Sequence, residues 1–435
     1  MMTDETYRTA IKAFFEQIGG KDFVEQIQAS DEQIQRYRKQ ITKQPAPQWI
    51  TPDKVLQMEH TPQGAQFTCE NAKVLVTFFA DDCIRVRVVH PSETFNPVFS
   101  YAVVKESPNP VDLEIITEND AYILRSAALV CRVQIAPYRL EVHKCDGTPV
   151  VIEADGPALD MHGRVKLSTQ LEDDEASYGT GERVDRLNLR GRKLRFWNTD
   201  PAIYERGSDP IYYNVPFYLG LNQYGAYGIF WDNSHDGTID IGQTDDSLLT
   251  WESVGGELRY FIFSGDIKGI LERYTELTGR HELLPIWGLG YHQSRYSYYP
   301  QEDVLQVAEW LREREIPCDA LYLDIHYMDG YRVFTWDKRG FPEPAALLQK
   351  LHEMGFKVVV ILDPGIKVDP QYEAYISGVE ADVFCKFADG TPVLGAVWPG
   401  ACHWPDFTNP KTRAWWAEQC KAFLSSGVDG IWNDM

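Results

Sequence analysis

The chain has 435 residues, 44% of them hydrophobic and 24% charged, without a low-complexity tract or short repeat. That excludes a single small module, a disordered chain and a solenoid, and leaves room for roughly two to four domains. Asp and Glu number 64 against 42 Lys and Arg, a formal net charge of -22, so nucleic acid and anionic membranes are repelled and are not expected as partners. Aromatic residues make up 13%, with 12 Trp and 23 Tyr, and an acidic, aromatic-rich surface suits neutral sugar rings.

The opening MMTDETYRTA is acidic and polar where a secretory signal would be basic and then apolar, and no stretch of about 20 apolar residues follows. The eight cysteines, at 69, 83, 131, 145, 318, 385, 402 and 420, include no C-x-x-C pair and no close His set. Neither a disulfide framework nor a zinc site is expected. These features point to a reduced, cytoplasmic protein without metal or other cofactor, and they leave homo-oligomerisation open.

In chain order, residues 1–48 come first, with apolar positions at Tyr7, Ile11, Phe14, Phe15 and Ile18, then Phe23, Val24 and Ile27, then Ile34, Tyr37 and Ile41. This spacing predicts a short helical N-terminal segment that packs on the body. Over residues 49–265 the period changes to two, as in Ile84, Val86 and Val88 alternating with Arg85 and Arg87. Asp146-Gly147 between two apolar runs signals a hairpin, because Gly accepts the positive φ of a tight turn. Many short strands at regular spacing predict an antiparallel β-sandwich.

Residues 266–284 read as a linker helix, opened by Ser264-Gly265-Asp266 and ending near Gly279. Over residues 285–435, strand candidates at 288–291, 320–325, 358–362 and 428–432 alternate with helical patterns at 302–314, 344–354 and 410–424. That order predicts a parallel sheet with right-handed crossovers, either doubly wound or barrel-shaped. No Gly-rich phosphate loop follows the first strand, which weighs against a dinucleotide fold.

Polar clusters fall where these strands end: His292 to Tyr296, Asp324 to Asp329, Asp363-Pro364, and Trp432-Asn433-Asp434-Met435. In a (β/α)₈ barrel all such ends line one face, and the active site lies there. Asp324, Asp363 and Asp434 would then converge, with Trp398 and His403 on the long connection 365–409 adding to the rim. Convergent carboxylates among aromatic walls suit glycoside chemistry, in which one carboxylate attacks the anomeric carbon and another protonates the leaving oxygen. Asp363, just before Pro364, also fits a strand-terminating or orienting role.

At these residues the chain resembles glycoside hydrolase family 31, the α-glucosidase family. Gly430-Ile431-Trp432-Asn433-Asp434-Met435 looks like the family's nucleophile signature, and Ser294-Arg295-Tyr296, Asp324 to Asp329, Ile361 to Pro364, Val397 to Gly400 and Asp406 to Pro410 agree with it in order and spacing. Tyr178 to Glu182 and Trp197 to Asp200 look like the family's N-terminal, galactose-mutarotase-like sandwich, so the similarity covers about residues 50–435. The resemblance implies a multi-domain chain: a sandwich followed by the first half of a TIM barrel.

It also implies roles. Asp434 would be the nucleophile, with Trp432 and Met435 flanking the sugar. Asp324 would bind hydroxyls at its non-reducing edge, and Ile325, Ile361, Trp398 and Tyr296 would form the apolar walls. Asp200, on a sandwich loop, would touch the next sugar. His326 stands where many relatives carry Asp. The expected activity is a retaining α-glucosidase acting on α-glucoside or oligosaccharide substrates. Alternatives are an α-xylosidase, a transglucosidase, an α-glucan lyase or a non-catalytic carbohydrate-binding protein. In the family the acid/base Asp lies well beyond the nucleophile, so these residues are expected to form the N-terminal part of the catalytic machinery, inactive alone.

Overall fold

The computed structural model describes residues 45–434 except Val98 and Ala202, together with Glu32, Gln35 and Arg36, which are helical. The helices expected over the rest of residues 1–44, and Met435, lie outside the described residues. The chain divides into two compact units, one formed by Pro45–His281 and the other containing Glu282–Met435.

In the first unit, an eight-stranded antiparallel sheet runs in the spatial order Val55–Thr61, Gly64–Cys69, Lys73–Ala80, Cys83–Val89, Leu258–Gly265, Gly225–Trp231, Asn214–Asn222 and Ala176–Gly181. A nine-stranded antiparallel sheet faces it, with Val165–Gln170, Pro149–Leu159 and Tyr138–Lys144 at its middle. Alternation decides what goes between them. Val74, Val76, Ile84, Val86 and Ile262 from one sheet meet Cys131, Leu140, Val142, Leu167 and Trp251 from the other in one buried core.

The opposite phase of the same strands builds a second layer. Phe79, Phe230, Phe261 and Phe263 lie on the outer face of the eight-stranded sheet, covered by helix Ile267–Thr278 through Ile270 and Leu277. Asp266 caps that helix, its carboxylate accepting from the Gly269 amide at 2.7 Å, and Gly279 ends it at φ 93°. The helix expected as a linker is therefore part of the sandwich unit's packing. The predicted hairpin forms between Tyr138–Lys144 and Pro149–Leu159, with Gly147 at φ 90° and Asp146 accepting from the Thr148 amide.

The second unit contains a parallel sheet in the order His292–Gln293, Ala320–Leu323, Lys357–Leu362, Gly430–Asn433. Helices Gln301–Glu313, Pro344–Glu353 and Pro410–Leu424 make the crossovers. The first strand differs from expectation: Ile286–Leu289 is a 3₁₀ turn, and pairing begins only at His292. Pro285 restricts the residue before it, and Trp287 closes the turn by accepting from the Gly290 amide. The long connection 365–409 folds on itself into helix Glu373–Glu380 and a three-stranded antiparallel sheet. Gly395 of that sheet lies against the Trp404 ring, where an added Cβ would sit 2.2 Å from the indole nitrogen. All eight cysteines are free thiols. Among the described residues, no helix is long and apolar enough to cross a membrane.

Candidate active site

Register places the carboxylates. Leu323 pairs with Val360, and Leu362 pairs with Asn433, so Asp324, Asp363 and Asp434 each stand one residue past the last paired position at the carboxyl end of adjacent strands. Neighbouring strands are about 4.8 Å apart, close enough for the charges to act on one another. Asp363 is 3% exposed, and burial first, then Asp434 and Asp324, raise its pKa to about 7. Its Oδ1 is buried without a hydrogen-bond partner. Asp324 is half-buried; burial raises its pKa, with a further push from Asp434, while its Oδ1 accepts from the Ile325 amide at 2.7 Å.

Aromatic and aliphatic side chains wall this cluster. Ile325 and Ile361 are both 2% exposed and belong to the unit's core, with Trp398 and Trp432 packed against it. The Tyr296 ring, itself exposed, meets His326 edge-on at 5.2 Å and lies 6.3 Å from Trp398. His326 is held by Ser297 through its Nδ1 at 2.5 Å and by the edge of Tyr331 at 5.6 Å. Burial lowers the imidazole's pKa despite the neighbouring Asp324, which favours the neutral ring at neutral pH. The loop carrying Asp324 is anchored below by Tyr327, whose hydroxyl donates to the Ile361 carbonyl at 2.8 Å.

Of the residues expected to form a site, Asp324, Ile325, Ile361, Trp398, Trp432, Tyr296 and Asp434 belong to this one unit. Asp200 belongs to the sandwich unit, on the exposed loop after Arg192–Phe196, beside Tyr212. Met435 is outside the described residues. His403 is tied into the connection's own sheet, its Nδ1 against the Val393 carbonyl at 2.9 Å and its ring against Tyr375.

The structure adds a row that sequence reading passed over. The hydroxyl of Tyr322 meets His292 Nδ1 at 3.1 Å, and its ring lies 6.1 Å from Trp432. The signal was the alternation of Leu321, Tyr322 and Leu323: with both leucines buried, Tyr322 must face the other side of the strand. Among the described residues, no group of His, Cys, Asp and Glu has the arrangement of a metal site.

Comparison with known proteins matches both units to domains of one family. Residues 73–240 match the glycosyl hydrolase 31 N-terminal galactose mutarotase-like domain, and residues 281–435 match the glycosyl hydrolases family 31 TIM-barrel domain. Alpha-glucosidase 2 of Bacillus thermoamyloliquefaciens is 39% identical over 379 residues, which are 86% of this chain and 48% of that protein. An alpha-glucosidase of Saccharolobus solfataricus is 35% identical over 62% of this chain and 39% of its own length. A family 31 dextranase of Flavobacterium johnsoniae, solved with glucose, superposes with a TM-score of 0.83 at 27% identity, covering 89% of this chain and 48% of that one. The chain thus spans about half the length, or less, of these relatives. With both domain types present in order and the carboxylates at the barrel-strand ends, the chain belongs to glycoside hydrolase family 31.

Proposed function

We propose that this chain forms the N-terminal part of a retaining α-glucosidase that releases glucose from the non-reducing end of α-glucosides and oligosaccharides. The observation that carries the reading is the convergence of Asp324, Asp363 and Asp434 at one end of a family 31 barrel sheet, walled by Ile325, Ile361, Trp398, Trp432 and Tyr296. In this mechanism the Asp434 carboxylate attacks the anomeric carbon as the glycosidic bond breaks, giving a β-glucosyl ester. An acid on the opposite side protonates the leaving oxygen, and water then hydrolyses the ester with that group acting as base. Asp324 accepts hydrogen bonds from sugar hydroxyls, a charge-assisted contact.

Asp363 is assigned as the orienting neighbour. Three ionised carboxylates so close would repel one another, and the most buried of them holds its proton to near neutrality, which lowers the local negative charge beside the attacking group. The acid/base is proposed to come from a further segment of the barrel, since a retaining pair faces across the sugar at about 5 to 5.5 Å.

The test compares turnover of p-nitrophenyl α-glucoside, maltose and isomaltose by the 435-residue chain and by a polypeptide that carries a complete barrel. Isomalto-linked substrates are included because the F. johnsoniae dextranase was also solved with isomaltotriose. The longer protein is expected to release α-glucose first, as followed by NMR, and the 435-residue chain to be inactive. Release of β-glucose first, or full activity from the 435 residues alone, would overturn the reading.

A further inference from the structure

The inward face of a barrel sheet is ordinarily filled by branched apolar side chains, yet on this one a histidine and a tyrosine meet. His292 Nε2 lies 2.9 Å from the Trp287 carbonyl oxygen, and its Nδ1 lies 3.1 Å from the Tyr322 hydroxyl. A carbonyl only accepts, so Nε2 carries the proton, and in the neutral ring Nδ1 is left to accept from Tyr322. The imidazole is thereby fixed at both nitrogens, and the tyrosine hydroxyl has one acceptor to aim at.

The ring contacts close into a circuit. Trp287 lies 5.9 Å from His292, His292 5.6 Å from Tyr322, and Tyr322 6.1 Å from Trp432 at an interplanar angle of 62°, the edge-to-face arrangement that aromatic pairs favour. From Trp432 the strand leads back to Gly430, where an added Cβ would stand 3.6 Å from the Trp287 ring and 3.2 Å from Val359 Cγ2. Tyr322 and Trp432 each stand two residues before an acid of the site, Asp324 and Asp434. By the two-residue period of a strand they share the acids' face, one pleat below. Packing alone would be served as well by Leu at 292 and Phe at 322. A buried polar pair costs desolvation, and what it adds is one fixed geometry.

We propose that Tyr322 and His292 are positioning residues, which through the bond between hydroxyl and imidazole hold the Trp432 ring at the angle at which it meets the sugar. That Trp432 meets a sugar rests on the proposed activity; that its ring is held by this pair does not.

The test has two arms. In the 435-residue chain labelled with 5-fluorotryptophan, Trp432→Phe identifies the Trp432 resonance by fluorine NMR. Tyr322→Phe, which removes only the hydroxyl, and His292→Leu, which removes both nitrogens, are expected to shift or broaden that resonance. His292→Gln, whose amide offers one acceptor and one donor side by side, is expected to restore it. In a polypeptide that carries a complete barrel, Tyr322→Phe is expected to raise KM for p-nitrophenyl α-glucoside at least about fivefold with kcat changed less than about twofold, the signature of lost uniform binding. His292→Gln is expected to stay close to the parent, and thermal melting shows whether each variant is folded. An unchanged Trp432 resonance in both Tyr322→Phe and His292→Leu would overturn the proposal. So would a fall in melting temperature with KM unmoved, because the pair would then be packing alone. If the parent with a complete barrel turns over no glucoside, the glucosidase reading fails, and the fluorine spectra decide this proposal by themselves.

Discussion

Buried acids are treated differently in the sandwich and at the barrel-strand ends. In the sandwich every buried Glu is furnished with donors. Glu153 takes the Tyr260 hydroxyl at 2.7 Å and the Leu140 amide at 2.8 Å. Glu175 takes the hydroxyls of Tyr218 and Tyr227 at 2.5 and 2.6 Å and the Asn222 amide at 2.9 Å. At the barrel-strand ends, Asp363 is equally hidden, yet one oxygen has no donor and its neighbours are two more carboxylates. The first pattern holds two sheets together. The second is a cluster that native packing does not satisfy, which marks a place shaped for chemistry.

The sharpest way to break this contrast is Asp434→Asn in a protein with a complete barrel. Loss of the proposed nucleophile is expected to lower kcat by at least about 10³ while melting changes little, whereas equal turnover would remove Asp434 from the mechanism. Next in size, Glu175→Ala should cost the sandwich about 3 to 5 kcal/mol, since it strands the buried Tyr227 hydroxyl, leaves Tyr218 with Ser177 alone, and opens a cavity. Denaturant unfolding measures this, and a loss below about 1 kcal/mol would mean that the network is dispensable.

Asp363→Asn is expected to act in the opposite direction. A carboxyl whose pKa rises from 3.8 unfolded to about 7 folded binds more protons in the native state between those values. It therefore costs nothing below about pH 4, and its penalty grows as pH rises through 7, to at most about 4 kcal/mol. The amide variant should be more stable than the parent at pH 7.5 and equal to it at pH 3.5. A gain that does not depend on pH would show that charge is not the cause. Smallest of the four, Asp266→Ala removes a helix cap and should cost about 1 kcal/mol, detectable as a modest fall in Tm.

Much of this contrast was legible in the chain itself, for reasons of period. Alternation at Ile84, Val86 and Val88 announced the sandwich, and the apolar run Val358–Leu362 announced a strand buried on both faces. The strand-end acids followed from the β-α order. What stayed hidden depends on contacts between residues distant in sequence. The strand at His292 pairs for only two residues, too short for any periodic signal. The sheet within 365–409 is fixed by cross-strand partners such as Ile366 and His403. The Tyr322–His292 pair likewise exists only after folding.

The hydroxyl of Tyr327 has one more implication. By fastening the turn after Asp324 to the carbonyl of Ile361, it ties that turn to the neighbouring strand, two residues before Asp363. Under the proposed mechanism, the acid that grips the sugar and the carboxyl that orients Asp434 would then move together. Adaptation to a different sugar would then be steered towards Tyr296, Trp398 and Trp432, the wall residues outside this link, rather than towards Ile325 and Ile361 at its two ends.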